Sequence, residues 1–388
     1  MANEVYNSII QVLEYNLKKV YKNDKSKKIA LYTRIIITLQ TLTIVCTVIK
    51  SNLYFTQSLK MRAFLKCVFI IVLIVNTGFI NLCAQVNNDR NIYLADPTIF
   101  YHKGTYYLYG TVEGNANQGF LVYTSADMKN WKVNRAADSG YALRKGNAYG
   151  TANFWAPQVF FYKNKFYMAY VANENIAIAE SKSPLGPFTQ KIKQPLAAAV
   201  KQIDPFIFID GNGKKYLYHV RLSNGNKLYV AEMSDAFSAI KPETLHECIT
   251  ATEPWENTAH TSWPVTEGPS VLKHKNLYYL FYTANDFRNP DYAVGYAVSN
   301  HPNGPWKKYA ANPVISKDNI GESGTGHGDF IKDNHKNIFY VFHTHNSDSV
   351  VAPRKTAIIK VSFSKDTCFN IDKLTADKET FFYLKKRL

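Results

Sequence analysis

The chain has 388 residues, 46% of them hydrophobic and 14% aromatic, with 27 Tyr and 23 Phe; a composition this apolar excludes a disordered polymer. The net charge of +16 does not mark a nucleic-acid binder, because it divides evenly: residues 1–84 hold 11 Lys/Arg against 3 Asp/Glu and the remainder 35 against 27, giving +8 for each part. No basic block is interleaved with a nucleic-acid motif, so the surplus reads as a solvated surface and no nucleic-acid partner is expected.

In chain order, residues 1–60 read as an upstream extension of the reading frame or a weak membrane segment. Their apolar stretch, Ile29–Ile49, contains Arg34 and several Thr, and its cleanest run is short for a bilayer span. Met61-Arg62 and Lys66 then precede the apolar run CVFIIVLIVNTGFINLCAQ. A basic head, an apolar core and a small-residue exit make residues 61–84 a secretory signal peptide, with cleavage after Ala84. Cys83 is the alternative, a lipidation site, although Leu82 stands where a small residue is wanted. The expected mature chain is 85–388, secreted or held in the periplasm or at the cell surface, with no membrane insertion after cleavage. Of five cysteines only Cys248 and Cys368 follow that point. Two such distant thiols make neither a disulfide framework nor a metal site.

From there one phrase is written five times, a pivot, a β-rich run, a turn and an aromatic strand. The copies are DPTIFYHKGTYYLYGT from Asp96, APQVFFYKNKFYMAYVA from Ala156, DPFIFIDGNGKKYLYHV from Asp204, GPSVLKHKNLYYLFYTA from Gly268 and HGDFIKDNHKNIFYVFHTH from His327. Starts spaced by about 60, 48, 64 and 59 residues match propeller blades rather than a helical solenoid. Turn signals such as Lys103-Gly104 and Asp210–Gly213 separate the strands, and no segment between 90 and 365 keeps a helical period for three turns. The fold class is therefore all-β, a five-bladed β-propeller with blades of four antiparallel strands, spanning 85–388 as one domain. The tail from Cys368 to Leu388, with its strand-like FFYL, is expected to close the ring against the first blade.

In a propeller the innermost strand of each blade lines the central channel, so the five pivots converge at one rim. Pro97, Pro157, Pro205 and Pro269 recur there, preceded by Asp96, Ala156, Asp204 and Gly268, with Glu267 one residue earlier. Two blades keep Pro without Asp, so the pivot itself does not require a carboxylate. Singly, each acid reads as a strand-start residue bonding backbone amides. Together, Asp96, Asp204 and Glu267 form a converging cluster that is costly unless each acid has a partner or a role. Glycosidic cleavage needs such a set: one protonated carboxyl for the leaving oxygen, one ionised carboxylate for water or the anomeric carbon, and a neighbouring anion to hold the acid's proton.

ADPTIF, FWAPQVF, IDPFIFID, TEGPSVL and GTGHGDF, in this order and over residues 90–365, resemble glycoside hydrolase family 43, inverting five-bladed propeller enzymes that act on arabinose- and xylose-containing glycans. The resemblance implies Asp96 as general base, Glu267 as general acid and Asp204 as the residue that tunes and orients the acid. It implies further that Trp155, Arg354, Trp263 and His327 contact substrate. His327 would also lie near the propeller axis beside a structural calcium held through water, although no cofactor is required. Trp155 could equally be core packing, Arg354 a surface residue and His327 a hydrogen-bonded structural histidine. His260, His343 and His345 show no metal-ligand spacing.

The implied activity is that of a secreted α-L-arabinofuranosidase or β-xylosidase, with an oligo- or polysaccharide as partner. An endo-arabinanase would share the motifs, and a glycan-binding propeller without turnover would share the aromatic rim but need not keep all three acids. A retaining fructan-cleaving propeller would show Asn-Asp-Pro-Asn-Gly in blade one and Glu-Cys in blade four, where this chain has Ala95-Asp96-Pro97-Thr98 and Thr266-Glu267-Gly268-Pro269.

Overall fold

The computed structural model describes residues 90–134, 138–368 and 371–387. The signal peptide, the 84/85 boundary, Ile29–Ile49 and Cys83 lie outside the described residues, of which no helix is long and apolar enough to cross a membrane.

Five sheets follow one another along the chain, each led by an inner strand: Leu94–His102, Trp155–Tyr162, Gln202–Ile209, Thr266–His274 and Gly326–Lys332. Each pairs antiparallel with the strand that follows it, and blades three to five are four-stranded in sequence order. Blade one carries beside it a separate two-stranded antiparallel sheet, Gly119–Leu121 with Tyr141–Arg144, and gains Lys385–Lys386 as a fifth, parallel strand on Asn130–Val133. Blade two carries its fourth strand only as a single bridge, Glu180 to Thr189. Pro187 removes the next amide donor on one side of that bridge, and on the other Gln190 Nε2 donates to Ile178 O at 3.0 Å, so the ladder does not lengthen.

The apolar residues do not gather in one centre. They form five clusters, each shared by two neighbouring blades. Tyr109 and Tyr170 pack between blades one and two, Leu217 and Ala169 between two and three, and Tyr340 and Phe281 between five and four. A blade cannot bury both faces alone, so the ring must close. The tail closes it, as its composition predicts. Ile92 N–H donates to Leu384 O at 3.0 Å, Leu384 N–H to Thr356 O at 2.9 Å and Thr356 N–H to Ile92 O at 3.0 Å. Both ends of the propeller are thereby stitched to the last blade.

One local feature recurs in all five inner strands. The pairing register slips at Ala95/Thr98, Trp155/Gln158, Ile203/Phe206, Glu267/Ser270 and Gly326/Asp329, a bulge two residues long. Within it Asp96, Ala156, Asp204, Gly268 and His327 adopt φ of 50°, 45°, 54°, 58° and 45°. Such left-handed backbone is costly for residues with a Cβ and re-aims the side chain. It also lifts the pivot amide out of its own ladder, and the preceding blade supplies the acceptor. Thr111 Oγ1 accepts from Ala156 N–H (3.0 Å), Thr283 Oγ1 from His327 N–H (2.8 Å), His343 Nδ1 from Asp96 N–H (3.1 Å) and Asp204 Oδ2 from Gly268 N–H (3.1 Å).

Gly268 is not needed for its backbone freedom, because four residues with a Cβ adopt the same conformation. It is needed for space: a Cβ there would lie 2.8 Å from Cγ of His327. Gly268→Ala should therefore displace the His327 ring and cost about 1–3 kcal/mol. Thermal denaturation beside Ala156→Gly tests this, because the latter adds no atom. A Gly268→Ala protein as stable as the wild type, with unmoved His327 ring resonances, would contradict the steric account.

Candidate active site

The bulges bring Asp96, Asp204, Glu267 and His327 to one mouth of the channel, as the repeat comparison predicts. His327 occupies in blade five the place that Asp96 and Asp204 occupy in blades one and three, and Ala156 and Gly268 leave the other two places small. The His327 imidazole stands between the aspartates, its Nδ1 3.4 Å from Asp96 Oδ1 and 3.7 Å from Asp204 Oδ2. The nearest donor atoms of Asp204, Glu267 and His327 all lie within 4.8 Å of one another.

The environment separates the carboxyls. Burial alone would raise Asp96, but His327, the Arg354 guanidinium (3.6 Å), His343 and the Thr111 hydroxyl, which donates to Oδ2 at 2.6 Å, outweigh it and hold the group at about 2. Burial pushes Asp204 up to about 8, helped by the charge of Asp96 and opposed by the Gly268 amide. Burial also pushes Glu267 up to about 7, with Asp204 adding to the effect and His327 and Tyr292 opposing it. Asp96 is thus ionised at neutral pH, while the adjoining Asp204–Glu267 pair retains a proton.

Glu267 is gripped from two sides. Tyr292, fully buried, donates its hydroxyl to Oε1 at 2.7 Å, and Asn226 donates Nδ2 to Oε2 at 3.0 Å. Arg354 is a site residue: its Nε donates to Glu113 Oε1 at 2.7 Å and its guanidinium lies 4.6 Å from the Phe287 ring centre. His343 stacks on Tyr292 with ring centres 5.6 Å apart. Since it accepts the Asp96 amide at Nδ1, its neutral form carries the proton on Nε2, and burial and Arg354 hold its pKa well below the ordinary value. Trp155 is partly exposed just before the blade-two pivot, the place Glu267 holds in blade four, and Trp263 is 47% exposed with its indole N–H on Asn226 Oδ1 at 2.9 Å.

Sequence reasoning missed Tyr292, Asn226, Thr111, Glu113 and the contact of His343 with Asp96. One signal was present for two of them. Thr111, Val171, Val220, Thr283 and His343 all pair with the residue just before a pivot, so aligning the second strands shows where polar residues break an apolar position.

Calcium prefers six to eight oxygen ligands. Among the described residues the one tight donor group is Asp204, Glu267 and His327, two carboxyls of the cluster itself and a nitrogen. That set does not fit a directly held calcium, and no chemistry is routed through one.

The family model described as "Glycosyl hydrolases family 43" matches residues 91–369. A solved structure of an endo-1,4-beta-xylanase from Bacteroides thetaiotaomicron is similar at 39% identity and TM-score 0.69, covering 77% of this chain and 98% of that one. A beta-D-galactofuranosidase of Aspergillus niger is 23% identical, over 70% of this chain and 80% of its own length. An extracellular exo-alpha-(1->5)-L-arabinofuranosidase of Streptomyces avermitilis is also 23% identical, over 74% of this chain but only 63% of its own length.

Because the Tyr292 hydroxyl favours ionised Glu267, Tyr292→Phe should move proton uptake by the Asp204–Glu267 pair to higher pH and leave Asp96 low. Carboxyl carbon NMR across pH 2–9 tests this. All three acids titrating near 4, or a downward shift in the variant, would contradict the electrostatic division.

Proposed function

Given that the chain belongs to glycosyl hydrolases family 43, we propose that it releases arabinose- or xylose-type sugars from glycans by a single, inverting displacement. The observation that carries this reading is one buried carboxyl cluster with two environments: His327, Arg354, His343 and Thr111 surround Asp96 and hold it at about 2, whereas burial and the neighbouring Asp204 raise Glu267 to about 7. Environments that push two titratable groups apart assign acid and base.

In this reading the sugar lies over the channel mouth. Glu267 delivers its proton to the glycosidic oxygen as the bond breaks, and the Tyr292 and Asn226 donors stabilise the carboxylate left behind. Asp96 holds a water on the opposite face of the ring and takes its proton as the oxygen attacks the anomeric carbon. A carboxylate this well stabilised is a weak base, so placement of the water contributes more than proton affinity. Asp204 shares the acid's proton between turnovers and, ionised, raises Glu267. Arg354 and His327 keep Asp96 charged and face the sugar hydroxyls, and Trp155 and Trp263 supply apolar faces at the rim.

For the sugar, arabinofuranosides and xylosides are the first candidates, in keeping with the names of the similar xylanase and arabinofuranosidase. A β-D-galactofuranoside presents a similar furanose ring with an added exocyclic arm and belongs in the same panel. We propose that the protein meets these substrates outside the cytoplasm, on the strength of the basic-apolar segment at 61–84.

The test is hydrolysis of nitrophenyl α-L-arabinofuranoside, β-D-xyloside and β-D-galactofuranoside, with arabinan and xylo-oligosaccharides beside them. Asp96→Asn should lose about 10³-fold or more on every substrate, whereas Glu267→Gln should lose about 10²–10⁴-fold on sugar leaving groups and far less on nitrophenol. No turnover by folded wild-type protein would favour a glycan-binding role, and equal losses for Glu267→Gln on both leaving-group types would remove it as the acid.

A further inference from the structure

Asn226 opens the third strand of blade three, Asn226–Glu232, yet its side chain serves blade four. Its backbone is zipped to the segment leading into Glu267. The Asn226 N–H donates to Pro264 O at 2.9 Å, and Thr266 Oγ1 donates to Asn226 O at 3.1 Å. Gly225 permits this approach: with φ of 119° and a Cβ position 2.7 Å from Pro264 O, no other residue fits.

The amide orientation is fixed without ambiguity. The Trp263 indole is a donor only, so the atom facing it at 2.9 Å must be Oδ1, which turns Nδ2 toward Glu267 Oε2. The loop that carries Trp263 is anchored in turn by Glu256, a fully buried carboxylate. It accepts from Thr252 N–H, Glu253 N–H, the Tyr282 hydroxyl and Lys308 Nζ at 2.7, 2.8, 2.6 and 2.5 Å. A rigid indole is thus held with its N–H spent inward and its ring 47% exposed. Solvated indole faces that are fixed in this way suit the apolar face of a sugar ring.

On the reading of Glu267 as general acid, we propose that Trp263 is the stacking platform for the departing sugar and that Asn226 is a positioning residue coupling that platform to the acid. The sugar to be attacked must lie by Asp96, whereas Asn226 grips Glu267 Oε2 and Trp263 grips Asn226, so the ring over Trp263 is assigned as the one that leaves with the glycosidic oxygen. A substrate sugar pressing on the indole would thereby tighten the hydrogen bond that aims Glu267.

The experiment compares Trp263→Phe, Trp263→Ala, Asn226→Ala and Asn226→Asp on a pentosyl disaccharide and on the corresponding glycosyl fluoride. The fluoride has no leaving ring to stack and little need of protonation. Trp263→Phe and Asn226→Ala should lower kcat on the disaccharide about 10–100-fold, change fluoride turnover less than about threefold, and move the alkaline limb of kcat/KM to higher pH. Asn226→Asp should move that limb further, since it sets an anion against Glu267. Trp263→Ala should add a rise in disaccharide KM that Trp263→Phe lacks. Equal losses on both substrates with an unmoved alkaline limb would reduce the pair to loop packing and overturn the proposal. Wild-type protein inactive on both substrates would instead overturn the glycosidase reading on which it rests.

Discussion

The structure depends on a strained bulge repeated five times, whose freed pivot amide is tied in four blades to the preceding one. A left-handed residue is unfavourable in isolation, more so before the proline that follows four of the five, and all are tolerated because the ring over-determines each one. The pivot amide that the bulge frees finds its acceptor on the preceding blade, at Thr111, Thr283 and His343, or on the Asp204 carboxylate. The same hydrogen bonds therefore close the propeller and aim the pivot side chains into the channel. Fold and site are one construction.

That construction explains how three acids are accommodated in so little space. Asp96 has cationic and hydroxyl partners on several sides, so its charge is retained. Asp204 and Glu267 have mainly amide and hydroxyl donors, too few to hold two full charges in a buried place, so the pair keeps a proton. Arg354 is central to the asymmetry. Shared between Glu113 and Asp96 and capped by Phe287, it biases the blade-one side of the channel toward anions and leaves the blade-four side neutral. Chemistry at such a mouth is directional before substrate arrives.

Much of this was legible in the sequence. Strand alternation and turn residues are local signals, and the pivot phrase is long enough to compare across blades, so the propeller and the converging acids follow from the repeat. The family resemblance added His327, Arg354, Trp155 and Trp263, and the structure ties three of those four to the carboxyl network. Tyr292, Asn226 and Glu113 were not legible, because each sits where the second strand of its blade turns toward the third, a place where a polar or aromatic residue is ordinary. Only the crossing of blade three to blade four gives Asn226 its partner. The reduced fourth strand of blade two was also hidden, since prolines that stop a ladder look the same as prolines that begin a corner.

The central claim is that Asp96 places a water rather than attacking the sugar itself. Proton NMR of the first sugar released from the preferred α-linked or β-linked substrate tests it most directly, read before the anomers equilibrate. The account predicts the opposite anomer from that of the substrate bond, β-arabinofuranose from an α-arabinofuranoside or α-xylose from a β-xyloside. First appearance of the same anomer would mean that Asp96 forms a covalent intermediate, and the division of roles described above would be wrong.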